Sequence, residues 1–285
     1  MIKLRTVTPD FLKKAFPRRD KWSHKGDSGR VLIIGGSRRY RGAPALCGLA
    51  ALRSGSDIAT IAAPESAVDV ISSFSPNLIT EPLVGDYVNI GDLEKLISLS
   101  GKFDAIVIGN GMCRMEESRD TVLELLRVVQ KPCVIDADAI HMVSENKKLL
   151  RPGWVLTPHE YEFQNISGVK VSRQLEKRAG EVVKFSRAHK STVLLKGHID
   201  VIAESGKVFI NSTGNPYMTV GGTGDVLAGI CAAFLGMGMP SLSAAAAAAF
   251  VSGAAGDLAA KETGPGLMAT DVIEKIPAVL KEFLV

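Results

Sequence analysis

Short runs of apolar residues recur along this chain, and helical segments separate them. The runs lie at residues 30–36, 57–63, 104–109, 133–136, 154–157 and 192–196. Strands that are apolar throughout are buried on both faces, which is typical of a parallel sheet with helices above and below it. Residues 198–213 instead alternate around Ser205-Gly206, which predicts an antiparallel edge hairpin. The pattern therefore predicts an α/β fold with a mostly parallel sheet.

Helical patterns fill the intervals between these runs. We expect helices near 43–54, 116–130, 224–236, 242–260 and 270–284. No linker, repeat or low-complexity segment divides the 285 residues. The sequence therefore predicts a single domain over residues 1–285.

Composition excludes several classes of protein. Hydrophobic residues make up 46% and charged residues 22%, as in ordinary globular proteins, so a disordered or fibrous chain is excluded. Lys and Arg number 34 against 30 Asp and Glu, and no basic block interleaves with aromatic residues. We therefore expect no nucleic-acid partner.

The cysteines and the apolar segments bear on location. Cys47, Cys113, Cys133 and Cys231 show no metal-ligand spacing, and we interpret them as reduced thiols of a cytoplasmic protein. Residues 1–22 lack the apolar core of a signal peptide. The apolar region 226–260 is interrupted by glycine, proline and aspartate, which favours two buried helices over a membrane span.

Glycine and polar residues follow several of the predicted strands. They lie at 35–37, 109–111, 136–138, 157–160 and 196–198. Turns after strands use such residues in any case, for positive φ angles and for helix caps. Their accumulation at one edge nevertheless predicts a ligand pocket, because ligands of open α/β sheets lie beyond the carboxyl ends of the strands.

The strongest local signal is residues 215–229, NPYMTVGGTGDVLAG. Gly221, Gly222 and Gly224 leave backbone amides unobstructed before a predicted helix, and Asp225 lies in its first turn. The start of a helix suits a phosphate or the charge that develops in phosphoryl transfer. Asp225 could take a proton from a substrate hydroxyl there, or it could be an ordinary helix-capping residue.

GGTGDVLAG at 221–229 resembles the anion-hole and base motif of the ribokinase-like superfamily. The chain as a whole resembles the ADP/ATP-dependent NAD(P)H-hydrate dehydratases, the YjeF carboxy-terminal family. The matching segments are collinear and include 25–64, SPNLIT at 75–80, AIVIGNGM at 105–112, VIDADAI at 134–140, LTPHEYEF at 156–163, VLLKGHIDVIA at 193–203 and 215–236. The resemblance implies a ribokinase-like three-layer sandwich.

The resemblance also implies a repair reaction, catalysed by a lyase. Hydration of the nicotinamide ring of NADH or NADPH gives NADHX or NADPHX, and family members dehydrate the S form at the expense of ADP or ATP. Phosphorylation of the ring hydroxyl turns a poor leaving group into phosphate. ADP would yield AMP, and ATP would yield ADP, each with phosphate; the preferred donor and the preferred hydrate stay open.

The matched positions assign roles to residues of this chain. Asp225 would be the catalytic base, and Gly222, Thr223 and Gly224 would form the anion hole. The hydrated dinucleotide would contact Ala43, Gly111, His159 and Asp225. The nucleotide would contact Lys196, Gly197, His198, Ile199, Asp200 and Gly224. His159 and Lys196 also have ordinary structural interpretations, as a histidine and a lysine that follow buried strands.

The resemblance implies Mg²⁺ and a homo-oligomer, for which a tetramer is the candidate state. Acidic candidates for the metal are Asp136, Asp138, Glu160 and Glu162, of which Glu160 fits best, but the sequence assigns no ligand. The alanine-rich helix near 243–260 could pack against another subunit or into the core. Because the nucleotide pattern begins by residue 30, we expect no amino-terminal epimerase domain.

One segment departs from the family pattern. Many relatives read GPGxG after the third strand, whereas this chain reads GNGMC at 109–113. Two other functions remain open: a sugar or vitamin kinase that uses the same Asp225 chemistry, and a nucleotide sensor that needs no base. A Rossmann dehydrogenase is disfavoured, because GGSRRY follows the first strand in place of GxGxxG.

Overall fold

The computed structural model describes residues 2–284, with side chains up to Glu282. A sheet of ten strands runs through the molecule in the order β1-β10-β9-β8-β7-β6-β5-β2-β3-β4. The strands are β1 (Leu4–Thr6), β2 (Arg30–Ile34), β3 (Ile58–Pro64), β4 (Ile79–Leu83), β5 (Ala105–Ile108), β6 (Cys133–Ile135), β7 (Trp154–Leu156), β8 (Thr192–Leu195), β9 (Asp200–Glu204) and β10 (Lys207–Asn211).

The pairing confirms a mostly parallel sheet with one antiparallel hairpin. All neighbours from β8 to β4 are parallel, whereas β9 pairs antiparallel with both β8 and β10. The sheet does not end at the hairpin, because β1 pairs in parallel with β10 and forms the outer strand. The hairpin therefore lies next to the edge rather than on it.

Helices cover both faces of the sheet, as the apolar strands require. They are α1 (Pro9–Ala15), α2 (Gly42–Arg53), α3 (Glu65–Ser73), α4 (Leu93–Lys102), α5 (Glu116–Val128), α6 (Asp138–Ser144), α7 (Glu160–Ser167), α8 (Leu175–His189), α9 (Thr223–Gly236), α10 (Ser241–Thr263) and α11 (Ala269–Leu284). Val31 and Ile33 of β2 pack with α1–α3 and α9–α11, whereas Leu32 and Ile34 pack with α4–α8. The three-layer sandwich is confirmed.

Helix α10 is long and apolar enough to cross a membrane, but 78% of its most apolar window is buried inside the protein. It packs against α9 and α11, so the region 226–260 forms two core helices. Close approach explains its small residues: a Cβ on Gly253 would collide with Thr213, and one on Gly256 would collide with Met218. Core packing, not contact with another subunit, accounts for its alanines.

The chain order reverses at β2. From β2 it proceeds through β3 to β4 on one side, and the later strands β5 to β8 follow on the other. The switch point therefore lies between β2 and β5. In open α/β sheets the ligand crevice forms outside the carboxyl ends of the strands at such a point.

Candidate active site

The turns that follow the central strands lie against one another. The Gly36 amide donates to the Asn110 carbonyl oxygen at 2.8 Å, which joins the turn after β2 to the turn after β5. A Cβ on Gly109, whose φ is +125°, would collide with the Asp136 carbonyl oxygen at the end of β6. The Thr157 hydroxyl, after β7, donates to Asp136 Oδ1 at 2.7 Å. The predicted edge therefore forms one continuous surface.

The start of α9 faces this surface. Gly222 precedes the helix with φ +98°, and no side chain among the described residues caps the helix there. The first N–H groups of a helix lack intrahelical partners and carry partial positive charge. A Cβ on Gly222 would lie 2.6 Å from Leu46 and 2.9 Å from Ala269, so only glycine fits this approach. The backbone amides of Gly222, Thr223 and Gly224, the predicted anion hole, thus lie at this uncapped helix start.

Asp225 lies in the first turn of α9, half-buried. Its Oδ1 accepts a hydrogen bond of 2.6 Å from the Asn110 side-chain amide. Burial raises the pKa of Asp225 to about 7, and the neighbouring Asp136 carboxylate adds to the rise. The Asn110 hydrogen bond and the Lys196 ammonium oppose it. A carboxyl with a pKa near neutrality can accept and return a proton under physiological conditions.

Lys196 directly follows β8, and its ammonium lies above the first turn of α9. Its Nζ lies 3.3 Å from Asp136 Oδ1 and would lie 3.4 Å from a Cβ placed on Gly224. Burial lowers the pKa of Lys196, but Asp136, Glu162 and Asp225 outweigh that effect, so the pKa is raised. A fixed positive charge therefore lies beside the uncapped helix end.

Ala43 and Gly111, predicted to contact one ligand, are neighbours. Gly111 has φ +68°, and a Cβ on it would lie 3.2 Å from the Ala43 Cβ and 3.0 Å from Tyr40. Ala43 is in the first turn of α2. Within the described part of the chain, no side chain caps the start of this helix. Two small residues thus adjoin the surface beside the switch point.

His159 caps α7, and its ring remains half exposed. Its Nδ1 accepts from the Glu162 amide at 3.2 Å, while Glu162 accepts from the His159 amide at 2.9 Å. Burial lowers the pKa of His159, and Lys196 lowers it further. The lowered pKa favours the neutral imidazole, and because Nδ1 accepts a hydrogen bond, the proton of that form is on Nε2, which lies 3.4 Å from Glu162 Oε1. His159 therefore has a structural contact as the cap of α7, and its exposed ring edge leaves space for a ligand contact.

The turn at 196–200 is held by one hydrogen bond within it and by two from neighbouring elements. The Asp200 carboxylate accepts from the Gly197 amide and from the Asn211 side chain, each at 3.0 Å. The Arg178 guanidinium donates to the Lys196 carbonyl oxygen at 2.9 Å and occupies the space that a Cβ on Gly197 would need. His198 is exposed and Ile199 half buried. This turn can therefore present its backbone to a ligand above the start of α9.

The acidic residues that could bind a metal differ in the hydrogen bonds and ion pairs that their carboxylates already make. No group of three or more His, Cys, Asp or Glu that could hold a metal ion occurs among the described residues. Asp136 accepts from Thr157 and Asn110, Asp138 from Cys113 and Arg114, and Glu162 from His159. Glu160 keeps a half-exposed side chain whose nearest cation, on Arg178, is 3.8 Å away.

Sequence reasoning missed part of this arrangement. Asn110, Thr157 and Arg178 received no role, although all three contact the site. Asn110 stood in the segment noted as a departure from the family pattern, which was the available signal. A cleft of about 860 Å³ lies at the opposite, amino end of the strands, bordered by Ser28, Gly55 and Met237, and it holds none of the predicted site residues.

Fold and site together define a class: a ribokinase-like α/β protein whose glycine turn and aspartate meet at the sheet's switch point. A solved ribokinase-like protein from Enterococcus faecalis superimposes with a TM-score of 0.88, at 28% identity, over 99% of this chain and 96% of that one. The family model described as NAD(P)H-hydrate dehydratase matches residues 31–278. The chain belongs to the NAD(P)H-hydrate dehydratase family, which confirms the resemblance.

Individual relatives agree with this assignment. The bifunctional NAD(P)H-hydrate repair enzyme Nnr of Methanothermobacter thermautotrophicus is 41% identical over 93% of this chain, which spans about half (52%) of that relative's length. The ADP-dependent (S)-NAD(P)H-hydrate dehydratase of Cenarchaeum symbiosum is 37% identical over 98% of both chains. The ADP/ATP-dependent dehydratase of Bacillus subtilis, co-crystallized with ATP/Mg²⁺, has a TM-score of 0.85 at 28% identity over 99% of this chain and 100% of that one.

Proposed function

We propose that this chain dehydrates the S form of NADHX and NADPHX to NADH and NADPH, with ADP or ATP as phosphate donor. The carrying observation is the half-buried Asp225 carboxylate in the first turn of the uncapped helix α9, which accepts a hydrogen bond from Asn110 and has its pKa raised to about 7. Family membership supplies the substrate class. Relatives named as dehydratases, one of them matched over 98% of its length, support the same activity.

Asp225 acts as the base in this proposal. It takes the proton of the ring hydroxyl, and the oxygen attacks the terminal phosphorus of the nucleotide, so that AMP leaves from ADP, or ADP from ATP. The amides of Gly222, Thr223 and Gly224, with the Lys196 ammonium above them, hold the transferred phosphoryl group. Push from the ring nitrogen then breaks the C–O bond, phosphate departs, and loss of a ring proton restores the dihydronicotinamide.

The remaining predicted residues bind the two substrates. Ala43 and Gly111, which adjoin Tyr40, leave room for the hydrated dinucleotide, and the neutral His159 can donate from Nε2 to it. The 196–200 backbone lines the nucleotide, with Gly224 against its inner phosphates. The Asp200 carboxylate holds this turn together, so its effect on the nucleotide is indirect.

The residues present fit a magnesium ion that is held mostly by phosphate oxygens and water. Mg²⁺ commonly uses only one or two protein carboxylates alongside substrate phosphates. Glu160, whose oxygens are the least engaged of the candidates, would supply one. When bound, the ion neutralises charge between the nucleotide oxygens.

We also propose a cytoplasmic location and a homo-oligomer, with a tetramer as the candidate state. The reduced state of the cysteines supports the location, since none of the described cysteines is in a disulfide. The exposed Phe74, which directly follows α3, and Ile79 of the outer strand β4 offer apolar surface for a second copy. Sedimentation at working concentration tests the oligomer, which a monomer alone would refute.

The activity is tested by adding the protein to purified NADHX with Mg²⁺ and either ADP or ATP. We expect recovery of dihydronicotinamide absorbance only with nucleotide, with one phosphate released per NADH. Asp225→Asn removes this recovery and retains nucleotide binding, whereas Asp69→Asn, on the exposed part of α3, leaves it unchanged. If protein that binds nucleotide restores no absorbance with either ADP or ATP, the proposal is refuted. That result would favour a kinase that acts on small-molecule alcohols.

A further inference from the structure

Asn110 occupies the centre of the site although neither the family motif nor the proposed reaction assigns it a role. It is fully buried after β5, and its side-chain amide donates to Asp225 Oδ1 at 2.6 Å and to Asp136 Oδ2 at 3.1 Å. One NH₂ group thus bridges two carboxylates that lie far apart in the sequence. Without such a donor, two buried like charges repel each other.

The orientation of this amide is fixed by the carboxylates alone. Asn110 Oδ1 is buried and has no hydrogen-bond partner within the described part of the chain. A flipped amide would place that oxygen against Asp136 and Asp225, which are acceptors when ionised. The bridge therefore forms only with the NH₂ group between them, and it is strongest when Asp225 carries its charge.

The far end of the bridge is anchored. Asp136 accepts from Thr157 at 2.7 Å and faces the Lys196 ammonium at 3.3 Å. Asn110 itself is held by its backbone, whose carbonyl oxygen accepts from the Gly36 amide. Asp225 is consequently tied through Asn110 to a fixed group at the sheet edge and not only to its own helix.

We propose that Asn110 is a positioning residue, which holds the Asp225 carboxylate in its reactive orientation and stabilises its ionised form. The inference rests on the proposed function, because it concerns the base of that reaction. It depends on this chain's GNG turn, because a proline at the second place of that turn would have no side-chain donor and could not form the bridge.

Several other groups face Asp225 and set its titration with Asn110. Asp136 after β6 and Asp138 in α6 oppose its ionisation, and Lys196 after β8 favours it. From α2, the buried Cys47 thiol also faces it, and burial together with Asp225 raises the pKa of that thiol. A substitution at Asn110 leaves all these groups in place, so it isolates the contribution of the bridge.

The test compares Asn110→Leu, similar in volume but without a donor, with the wild-type protein. The matched control is Asn89→Ala, which also removes side-chain amide hydrogen bonds, to the Val84 and Tyr87 carbonyl oxygens, away from the site. Asn110→Ser, too short to reach both carboxylates, replaces the leucine variant if that variant does not fold. Each protein is assayed for NADHX dehydration against pH and for its thermal midpoint.

In Asn110→Leu, we expect kcat to fall about 10- to 100-fold, because a displaced base loses its alignment. The acidic limb of kcat/KM should move up by about half to one pH unit, since the hydrogen bond to the charged form is lost. KM for the nucleotide should stay within about two-fold. Asn89→Ala should lower the thermal midpoint and leave the acidic limb of the kcat/KM profile at its wild-type pH. An unmoved limb in Asn110→Leu would overturn the proposal.

A second readout separates this proposal from the reaction itself. The Asp225 carboxyl carbon can be titrated by NMR in aspartate-labelled protein, with its resonance assigned by its loss in Asp225→Asn. A higher midpoint in Asn110→Leu than in wild type supports the positioning role even if NADHX is not dehydrated, in which case only the proposed reaction fails. Active enzyme whose carboxyl titrates identically in both proteins would refute the role of Asn110 alone.

Discussion

The folded chain stabilises the ionised form of Asp225 poorly. Burial and the neighbouring Asp136 raise its pKa from 3.8 to about 7, so the folded state binds a proton that the unfolded chain releases at lower pH. The resulting stabilisation is present in full below about pH 4 and is lost as pH rises through about 7. Ionisation, which the proposed chemistry requires, therefore costs stability. Activity and stability place opposite demands on this residue.

We predict that Asp225→Asn stabilises the protein while turnover collapses. Asparagine can still accept from Asn110, and it carries no charge to repel Asp136. The gain over wild type should be about 2 to 3 kcal/mol larger at about pH 8 than at about pH 5, because one unit of pKa shift is about 1.4 kcal/mol. Urea unfolding at both pH values measures this difference. A gain that is independent of pH would contradict the raised pKa of Asp225.

At this scale the sequence predicts residues that belong to a local motif and misses those that depend on tertiary contact. Gly222, Thr223, Gly224 and Asp225 are contiguous, so their resemblance to a known motif is visible. Asn110 meets Asp225 only because β5 and α9 are brought together by the fold. No periodicity links positions 110 and 225; the only signs were the place of Asn110 in a turn predicted to line the pocket and the unusual GNG sequence of that turn.

Helix α9 combines an uncapped start with close packing along its length. A Cβ on Gly229 would collide with the Cys47 carbonyl oxygen, so α9 lies directly against α2. The uncapped first turn is therefore fixed by the helix behind it. In the glycine turn before it, Gly222 has no space for a side chain. At Gly221, by contrast, an added Cβ would have no described atom within 4 Å.

We predict that Gly222→Ala and Gly221→Ala differ sharply. Alanine at Gly222 meets Leu46 and Ala269 at a φ of +98°, which should cost about 2 to 4 kcal/mol and displace the amides proposed to hold the phosphoryl group. Gly221→Ala should leave stability within about 0.5 kcal/mol of wild type, as for most exposed substitutions. Thermal unfolding and phosphate release measure both effects. Equal behaviour of the two variants would contradict a specific geometry at Gly222.

Sequence patterns predict the buried elements and not the outer ones. The strands β2, β3 and β5 to β8 are continuous apolar runs, so their sequences distinguish them. The outer strand β4 contains Glu81 and Pro82, which an edge strand tolerates because its unpaired side makes no ladder. Strand β1 has only three residues, LRT, and only its pairing with β10 defines it. Outer elements lack the apolar signal because they are less buried.

The whole molecule is organised around one sheet with a core on each face. Six of the helices pack on one face and α4–α8 on the other, and both cores meet strand residues that alternate along β2. The site draws on turns after β2, β5, β6, β7 and β8, so no part of it can form without the central sheet. We therefore propose that residues 1–285 constitute one folding unit, to which nucleotide binding is linked.

This linkage predicts a single calorimetric transition that nucleotide shifts as a whole. At a nucleotide concentration of about 100 Kd, binding to the folded state alone adds about 2.7 kcal/mol. In a protein of 285 residues, that raises Tm by roughly 4 to 5 °C. Scanning calorimetry with and without ATP and Mg²⁺ measures the shift. If calorimetry instead resolves two transitions and nucleotide raises the Tm of only one, the sheet and its two cores do not unfold together.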